Sequence, residues 1–402
     1  MLYNKELKVK QLDLQKSEAL VKEARELQLP EIRVDGRYSR VTDMPLYENG
    51  VLNKPNVIPV NHQSYAVGGE ASVNLYNGGK TRLGIDIQKT AQASAGQVQA
   101  QTQGDVKFKC AYYFFELVRY HQFLQLTTQE IAQEEKQLKD INSLFRNGTV
   151  LKSDVLRAEL KVSQQQLLLK EIGNNILLAE QQLNILMGRP DNASLQPDFQ
   201  YTQQAIPEVS DYESWLGTAL QSAFAYKIAE NEVTLSALQL KVVKSAILPK
   251  VSLFAGYNYS YPQFTYYPYT NALYGLGQAG VKVSLPLSNL YLNKHKTRVA
   301  TLAYQQQRIY SDMKQDDIRN EVRTAYLHYT EALEKISIAK KNIARTTESY
   351  RILKHSYFNQ QSLLTDMLDA ETQLLQSSFD LTSAQMNAQV QFYQLLKVVG
   401  KI

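Results

Sequence analysis

A single cysteine, Cys110, stands in 402 residues, which excludes a disulfide framework and any zinc site built from several cysteines. Five histidines are scattered without a metal-binding spacing. No nucleophile–base constellation, glycine-rich phosphate loop or metal cluster can be read, so neither enzyme, cofactor site nor metal site is expected. Prolines (11) and glycines (18) are few for this length, which favours long uninterrupted elements. No run of about 18 apolar residues occurs and mean hydropathy is −0.36, which excludes a membrane-spanning helix. Short alternating membrane strands stay open. The net charge of +5 is small and dispersed and does not point to nucleic acid. No secretory leader precedes the amphipathic pattern of Leu7, Leu14 and Val21. Either the protein is cytosolic, or the numbering starts after a removed or missing N-terminus.

What is present is a duplication. The segment Asn147-Gly148-Thr149-Val150-Leu151-Lys152-Ser153-Asp154-Val155-Leu156-Arg157-Ala158-Glu159 recurs as Asn359-Gln360-Gln361-Ser362-Leu363-Leu364-Thr365-Asp366-Met367-Leu368-Asp369-Ala370-Glu371, 212 residues on. The same offset carries Asp105 onto Asp317 and Gly188 onto Gly400. Leu29-Pro30 returns as Leu248-Pro249, and Lys80-Thr81-Arg82 as Lys296-Thr297-Arg298. Two tandem copies follow. The first is read over 1–188: a helix, strands near 30–40 and 66–77, a long helix over 79–145, a tip turn and a return helix over 152–187. A linker region rich in Pro, Asn and Gln takes 189–222. The second copy, 223–402, has a helix, strands near 250–261 and 273–287, a long helix over 293–357, a tip turn and a return helix over 363–398.

The long helices carry sevenfold spacing. It runs through Cys110, Leu117, Leu124, Ile131, Leu138 and Phe145 in copy one, and through Val322, Tyr329, Ile336, Ile343, Tyr350 and Tyr357 in copy two. The return helices show Val155, Val162, Leu169, Ile176, Leu183 and Met367, Leu374, Leu381, Ala388, Leu395. A sustained heptad means left-handed coiled-coil packing, so each copy reads as an antiparallel helical hairpin.

The strands alternate with period two. Ile32, Val34 and Tyr38 oppose Arg33, Asp35, Arg37 and Ser39, and Val67, Ala71, Val73 and Leu75 oppose Glu70, Ser72 and Asn74. Leu253, Ala255 and Tyr257 oppose Ser252 and Asn258, and Val281 and Val283 oppose Lys282 and Ser284. About a dozen residues per strand suffices to cross a bilayer when tilted. Four strands cannot close a barrel, and open edges are not viable in lipid. Three copies, twelve strands, would close one.

On these features the chain resembles the TolC family of outer membrane efflux proteins. They are the two copies, Leu-Pro before each first strand, Asn74-Leu75-Tyr76-Asn77-Gly78-Gly79-Lys80 at the strand-to-helix junction, the two tip motifs, and Leu186-Met187-Gly188 closing copy one. The resemblance implies a mainly α chain with a membrane β-barrel portion: a homotrimer with a 12-stranded β-barrel on a 12-helix α-barrel. It implies passive export through the outer membrane of a Gram-negative cell. The expected partners are outer membrane lipid, a periplasmic adaptor (membrane fusion) protein and, through it, an inner membrane pump of RND or ABC type. The family's leader and its short extra segment before the first helix are missing here.

The family's pattern also assigns roles. Asp366 and Asp369, three apart on one helix face, match acids at the periplasmic constriction and would set cation selectivity; the plainer reading is that they complement the helix dipole. In copy one Arg157 stands where Asp369 stands, and it can pair with Asp154, so copy two is expected to line the pore. Ser153, Asp154 and Tyr357 match contacts that hold the tip shut, and Ser362 occupies the position of the family's gating arginine; Tyr357 reads equally well as a heptad core residue. Asn147, Gly148, Asn359 and Gln360 make the tips, where an adaptor would dock. Arg33 and Arg37 would face the barrel lumen, or satisfy Glu31 and Asp35. The cluster Tyr257, Tyr259, Tyr261, Phe264, Tyr266, Tyr267 and Tyr269 would form an extracellular aromatic belt. Cys110 reads as a packed thiol. The competing expectation is a soluble coiled-coil scaffold whose strand faces are covered.

Overall fold

The computed structural model describes residues 3–198, 211–263 and 270–402. Phe264, Tyr266, Tyr267 and Tyr269 of the aromatic cluster, and 199–210 of the linker, lie outside them. The elements run α1 (Lys5–Glu26), β1 (Glu31–Arg40), β2 (Met44–Leu46), β3 (Asn56–Ile58), β4 (Gln63–Asn77), α2 (Lys80–Arg146) and α3 (Lys152–Met187). There follow α4 (Tyr212–Ser222), α5 (Phe224–Ser245), β5 (Lys250–Tyr261), β6 (Tyr274–Ser284), α6 (Asn289–Phe358) and α7 (Leu364–Val398). No helix among the described residues is long and apolar enough to cross a membrane. The chain forms two compact units, each drawing on both sequence copies.

One unit comprises Gln15–Ala93 and Asn231–Ile309 and holds the sheet. Its strand order is β1-β4-β5-β6, antiparallel throughout, with β1 and β6 at the edges. Directly opposed residues of an antiparallel pair share a face, so the register tests the alternation. Val34 faces Gly69, Gly36 faces Val67, Val67 faces Tyr259, Val73 faces Leu253, and Leu253 faces Val281. One face is therefore apolar across all four strands. On the other, Arg33 faces Glu70, Ser72 faces Phe254 and Ser252 faces Lys282. A register shift between Asn74 and Tyr76 leaves Leu75 out of the ladder. The sequence reading lacked the small β2–β3 hairpin; its three-residue strands carry no periodicity to read.

The junction from β4 into α2 explains its motif. Gly78 and Gly79 have φ of 70° and 80°, and a Cβ on Gly78 would lie 2.7 Å from the Ser245 carbonyl oxygen. Asn77 then caps the helix: its Oδ1 accepts the Thr81 N–H at 3.2 Å and its Nδ2 donates to Thr81 Oγ1 at 2.7 Å.

The other unit comprises Met1–Leu14, Ser94–Glu230 and Tyr310–Ile402 and holds most of the two helical hairpins, α2–α3 and α6–α7, whose long helices α2 and α6 begin in the sheet unit. Its cores follow the heptads. Val322 and Tyr329 on α6 and Leu395 on α7 are fully buried with Trp215 and Ala219 of α4. Leu117 of α2 packs with Ile172, Ile176 and Leu183 of α3. Phe115 and Val118 of α2 meet Met386 and Val390 of α7, joining the hairpins. Each such large apolar side chain contributes about 1.5–3 kcal/mol. Region 189–222, read as linker, includes α4, because Trp215 and Ala219 sit four apart and bury one stripe. Cys110 is only half-buried, and burial pushes its thiol up.

Candidate functional site

The tips of the two hairpins are the same turn built twice. In copy one Gly148, at φ 73°, donates its N–H to the Phe145 carbonyl, and Thr149 N–H reaches Leu144 O at 2.9 Å. In copy two Gln360 N–H reaches Tyr357 O and Gln361 N–H reaches Ser356 O, both at 2.8 Å. This pair of bonds is the Schellman ending of a helix. Gln360 holds the left-handed position at φ 62° with a side chain that ordinarily disfavours it. Asn147, Gly148, Asn359 and Gln360 are all exposed.

Behind the turns lies a core of Ile141, Val155, Ala158, Tyr350, Tyr357, Leu364, Met367 and Ala370, drawn from all four helices. Tyr357 is 6% exposed, and its hydroxyl is buried with no hydrogen-bond partner. Burial, and then the charge of Asp154, push its phenol pKa up. Ser362 donates to its own hairpin, to Leu353 O at 3.4 Å. Ser153 is exposed and Asp154 half-buried, and Asp154 forms no ion pair with Arg157.

Asp366 and Asp369 are exposed on the first turns of α7. Asp366 Oδ2 accepts the Leu363 N–H at 3.3 Å, satisfying a free donor at the helix start. Asp369 makes no such contact, so the two acids differ in what their own chain asks of them. In the sheet unit, Arg33 and Arg37 both lie on the polar face, and Arg33 forms an exposed 3.5 Å pair with Glu31.

The sequence did not disclose a buried polar cluster deeper in the hairpin unit. Glu130 and Glu134 on α2 and Glu371 on α7 each place a carboxylate oxygen within 4.8 Å of the others. Glu134 is 3% and Glu371 2% exposed. Burial first, and the Glu371 charge second, push Glu134 up to about 8 and Glu130 to about 7, with Lys161 pulling both back. Glu371 was visible in the tip motif, but nothing in the sequence links it to acids of the other copy.

An edge-open sheet with one apolar face and paired helical hairpins with turned tips define a class of fold that is mainly helical with a small sheet portion. The sequence pattern of the outer membrane efflux protein family matches residues 2–189 and 215–401, and the chain belongs to that family. The family is one of channels, not an enzyme class. No curated protein matches the sequence. Among solved structures, the chain is similar to the channel CusC, with 16% identity over 99% of this chain and 90% of that one and a TM-score of 0.81. VceC of Vibrio cholerae gives 17% identity over 99% and 93%, TM-score 0.80. MtrE of Neisseria gonorrhoeae gives 17% over 99% and 86%, TM-score 0.77. At these identities the likeness speaks for the fold: mainly helical, TolC-like, with a small sheet portion.

Proposed function

We propose that this protein is the outer membrane duct of a tripartite efflux or type I secretion system. It acts as a homotrimer and passes small molecules or proteins outward without catalysis. The observation that carries this reading is the sheet: a contiguous apolar face over four strands, with β1 and β6 each offering an unpaired edge. In lipid each open edge would strand backbone donors and acceptors at several kcal/mol apiece. Pairing β6 of one copy with β1 of the next removes both, and three copies supply twelve strands. The apolar face then meets lipid, and Arg33 and Arg37 face the lumen.

The exposed turns at Asn147-Gly148 and Asn359-Gln360 are the surface offered to a periplasmic adaptor, and through it to an inner membrane pump. Asp366 and Asp369, repeated around a threefold axis, make acid rings at the periplasmic mouth. Tyr357 acts through its buried ring, and Ser153, Asp154 and Ser362 border the same closure.

The test is to express the chain behind a secretion leader in a Gram-negative host and to measure mass and shape of detergent-extracted particles. Threefold particles of 3 × 45.8 kDa from the outer membrane fraction are expected. A water-soluble monomer or dimer absent from membranes would overturn the duct and favour a coiled-coil scaffold.

A further inference from the structure

The polar cluster inside the hairpin unit is built in a way that packing alone does not require. Glu130 and Glu134 are one helical turn apart and share a face of α2; Glu371 comes to them from α7. Burying a charged group is costly unless it is paired and hydrogen-bonded. Yet neither oxygen of Glu134 accepts a hydrogen bond, and Glu371 Oε2 accepts none. Three buried carboxylate oxygens are thus left without a donor.

The surroundings fix the ligands without filling those oxygens. Glu371 Oε1 accepts the Tyr350 hydroxyl at 2.8 Å, and Tyr350 in turn accepts from Lys354 at 3.1 Å. Lys161 gives its hydrogen bond to Thr372 Oγ1 at 2.6 Å and stands 3.9 Å from Glu134 Oε1, an ion pair without a bond. Partners that hold a ligating side chain in orientation from behind are what metal sites use. Oxygens up to 4.8 Å apart can lie around one ion at 2.0–2.6 Å, the range for hard divalent cations.

We propose that Glu130, Glu134 and Glu371 form a binding site for one divalent cation per chain, which ties α2 of the first hairpin to α7 of the second. The donor set is oxygen only, with neither histidine nor cysteine, which selects Ca²⁺ or Mn²⁺ over softer ions. Glu130 is half-buried and provides the way in. The expectation of no metal came from the lack of any local motif; these ligands come from separate copies.

The test uses the full chain carrying Asp366→Asn and Asp369→Asn, so that acids at the tips cannot supply the signal. After stripping with EDTA, Mn²⁺ is titrated and free ion is followed by electron paramagnetic resonance. One saturable site per chain, displaced by Ca²⁺, is expected, with Glu134→Gln and Glu371→Gln each weakening it at least tenfold. If Glu371→Gln does not fold by circular dichroism, Glu130→Gln on the half-exposed ligand carries the same expectation. No saturable binding, or binding that survives Glu134→Gln, would overturn the site.

Discussion

Tyr357 separates two accounts of how the tips stay together. Its hydroxyl is sealed inside a single chain and bonds to nothing there. A hydroxyl already sealed in its own chain cannot reach a neighbouring subunit, so its ring must carry whatever Tyr357 contributes. Tyr357→Phe deletes only the unsatisfied hydroxyl. Leaving a buried polar group unpaired costs about 1–3 kcal/mol, so the change should be neutral or stabilising by about 1 kcal/mol. Tyr357→Ala removes the ring from a core shared with Ile141, Val155, Leu364 and Met367 and should cost about 3–5 kcal/mol. Thermal unfolding in detergent reads the first quantity and single-channel conductance in planar bilayers the second. Phe should conduct like the parent, while Ala should leak. If Tyr357→Phe raises conductance as much as Tyr357→Ala, the hydroxyl is a latch and the packing argument is wrong.

Other outcomes follow from the same geometry. Asp366→Asn with Asp369→Asn should lower cation selectivity; an unchanged reversal potential would remove the acid rings. Substituting Asn147-Gly148 or Asn359-Gln360 should weaken crosslinking to an adaptor while the assembly stays intact, and unaltered crosslinking would place docking elsewhere. Val281→Arg, on the apolar face, should lose assembled channel from membranes, at about 2–4 kcal/mol near the bilayer centre; Ser252→Arg, on the polar face, should be tolerated, and equal effects would refute the assignment of faces. Burial holds the Glu116 carboxyl up despite Arg119 at 2.6 Å. A raised carboxyl stabilises the fold below its ordinary pKa, and that contribution is lost as pH rises through the folded value. Glu116→Gln should therefore flatten the decline of thermal stability from pH 4 upward, and a slope identical to the parent's would count against it.

The heptads were legible because a sevenfold repeat has a direct physical meaning. Val322, Tyr329, Val155, Met367 and Leu395 are fully buried. Along α2 the reading weakens: of its series only Leu117 is buried, Cys110, Leu124, Ile131 and Leu138 are half-buried and Phe145 is exposed, while Val106, Val118 and Ile141 are buried off the series. A straight helix drifts about 20° per heptad, and over so long an element the buried stripe leaves a fixed seven. Strand alternation was legible and is carried by the register, whereas the shift that drops Leu75 has no sequence mark. Helix α4 was hidden behind a polar stretch. The Glu130, Glu134 and Glu371 cluster was hidden because polar residues at interior positions look like surface until another helix arrives.

The duplication itself shows where the two copies diverged. Four helix ends carry the same pair of bonds: at Gly148 and Gln360, and again where Arg189 N–H reaches Asn184 O and Lys401 N–H reaches Leu396 O. The backbone of each hairpin is thus conserved between copies, even where Gln360 must hold a conformation that glycine holds in copy one. The side chains just beyond the turns are not equivalent. Arg157 and Asp369 occupy matching positions with opposite charge. Alternating these hairpins around a threefold axis would place like-shaped turns in a ring of alternating sign. An adaptor meeting that ring would find uniform turns to seat on and an unlike-charge register to align with. Because both side chains are exposed, exchanging them (Arg157→Asp together with Asp369→Arg) should leave folding unchanged and shift the rotational register of docking. Crosslinks confined to their original positions would show that the turns alone set it.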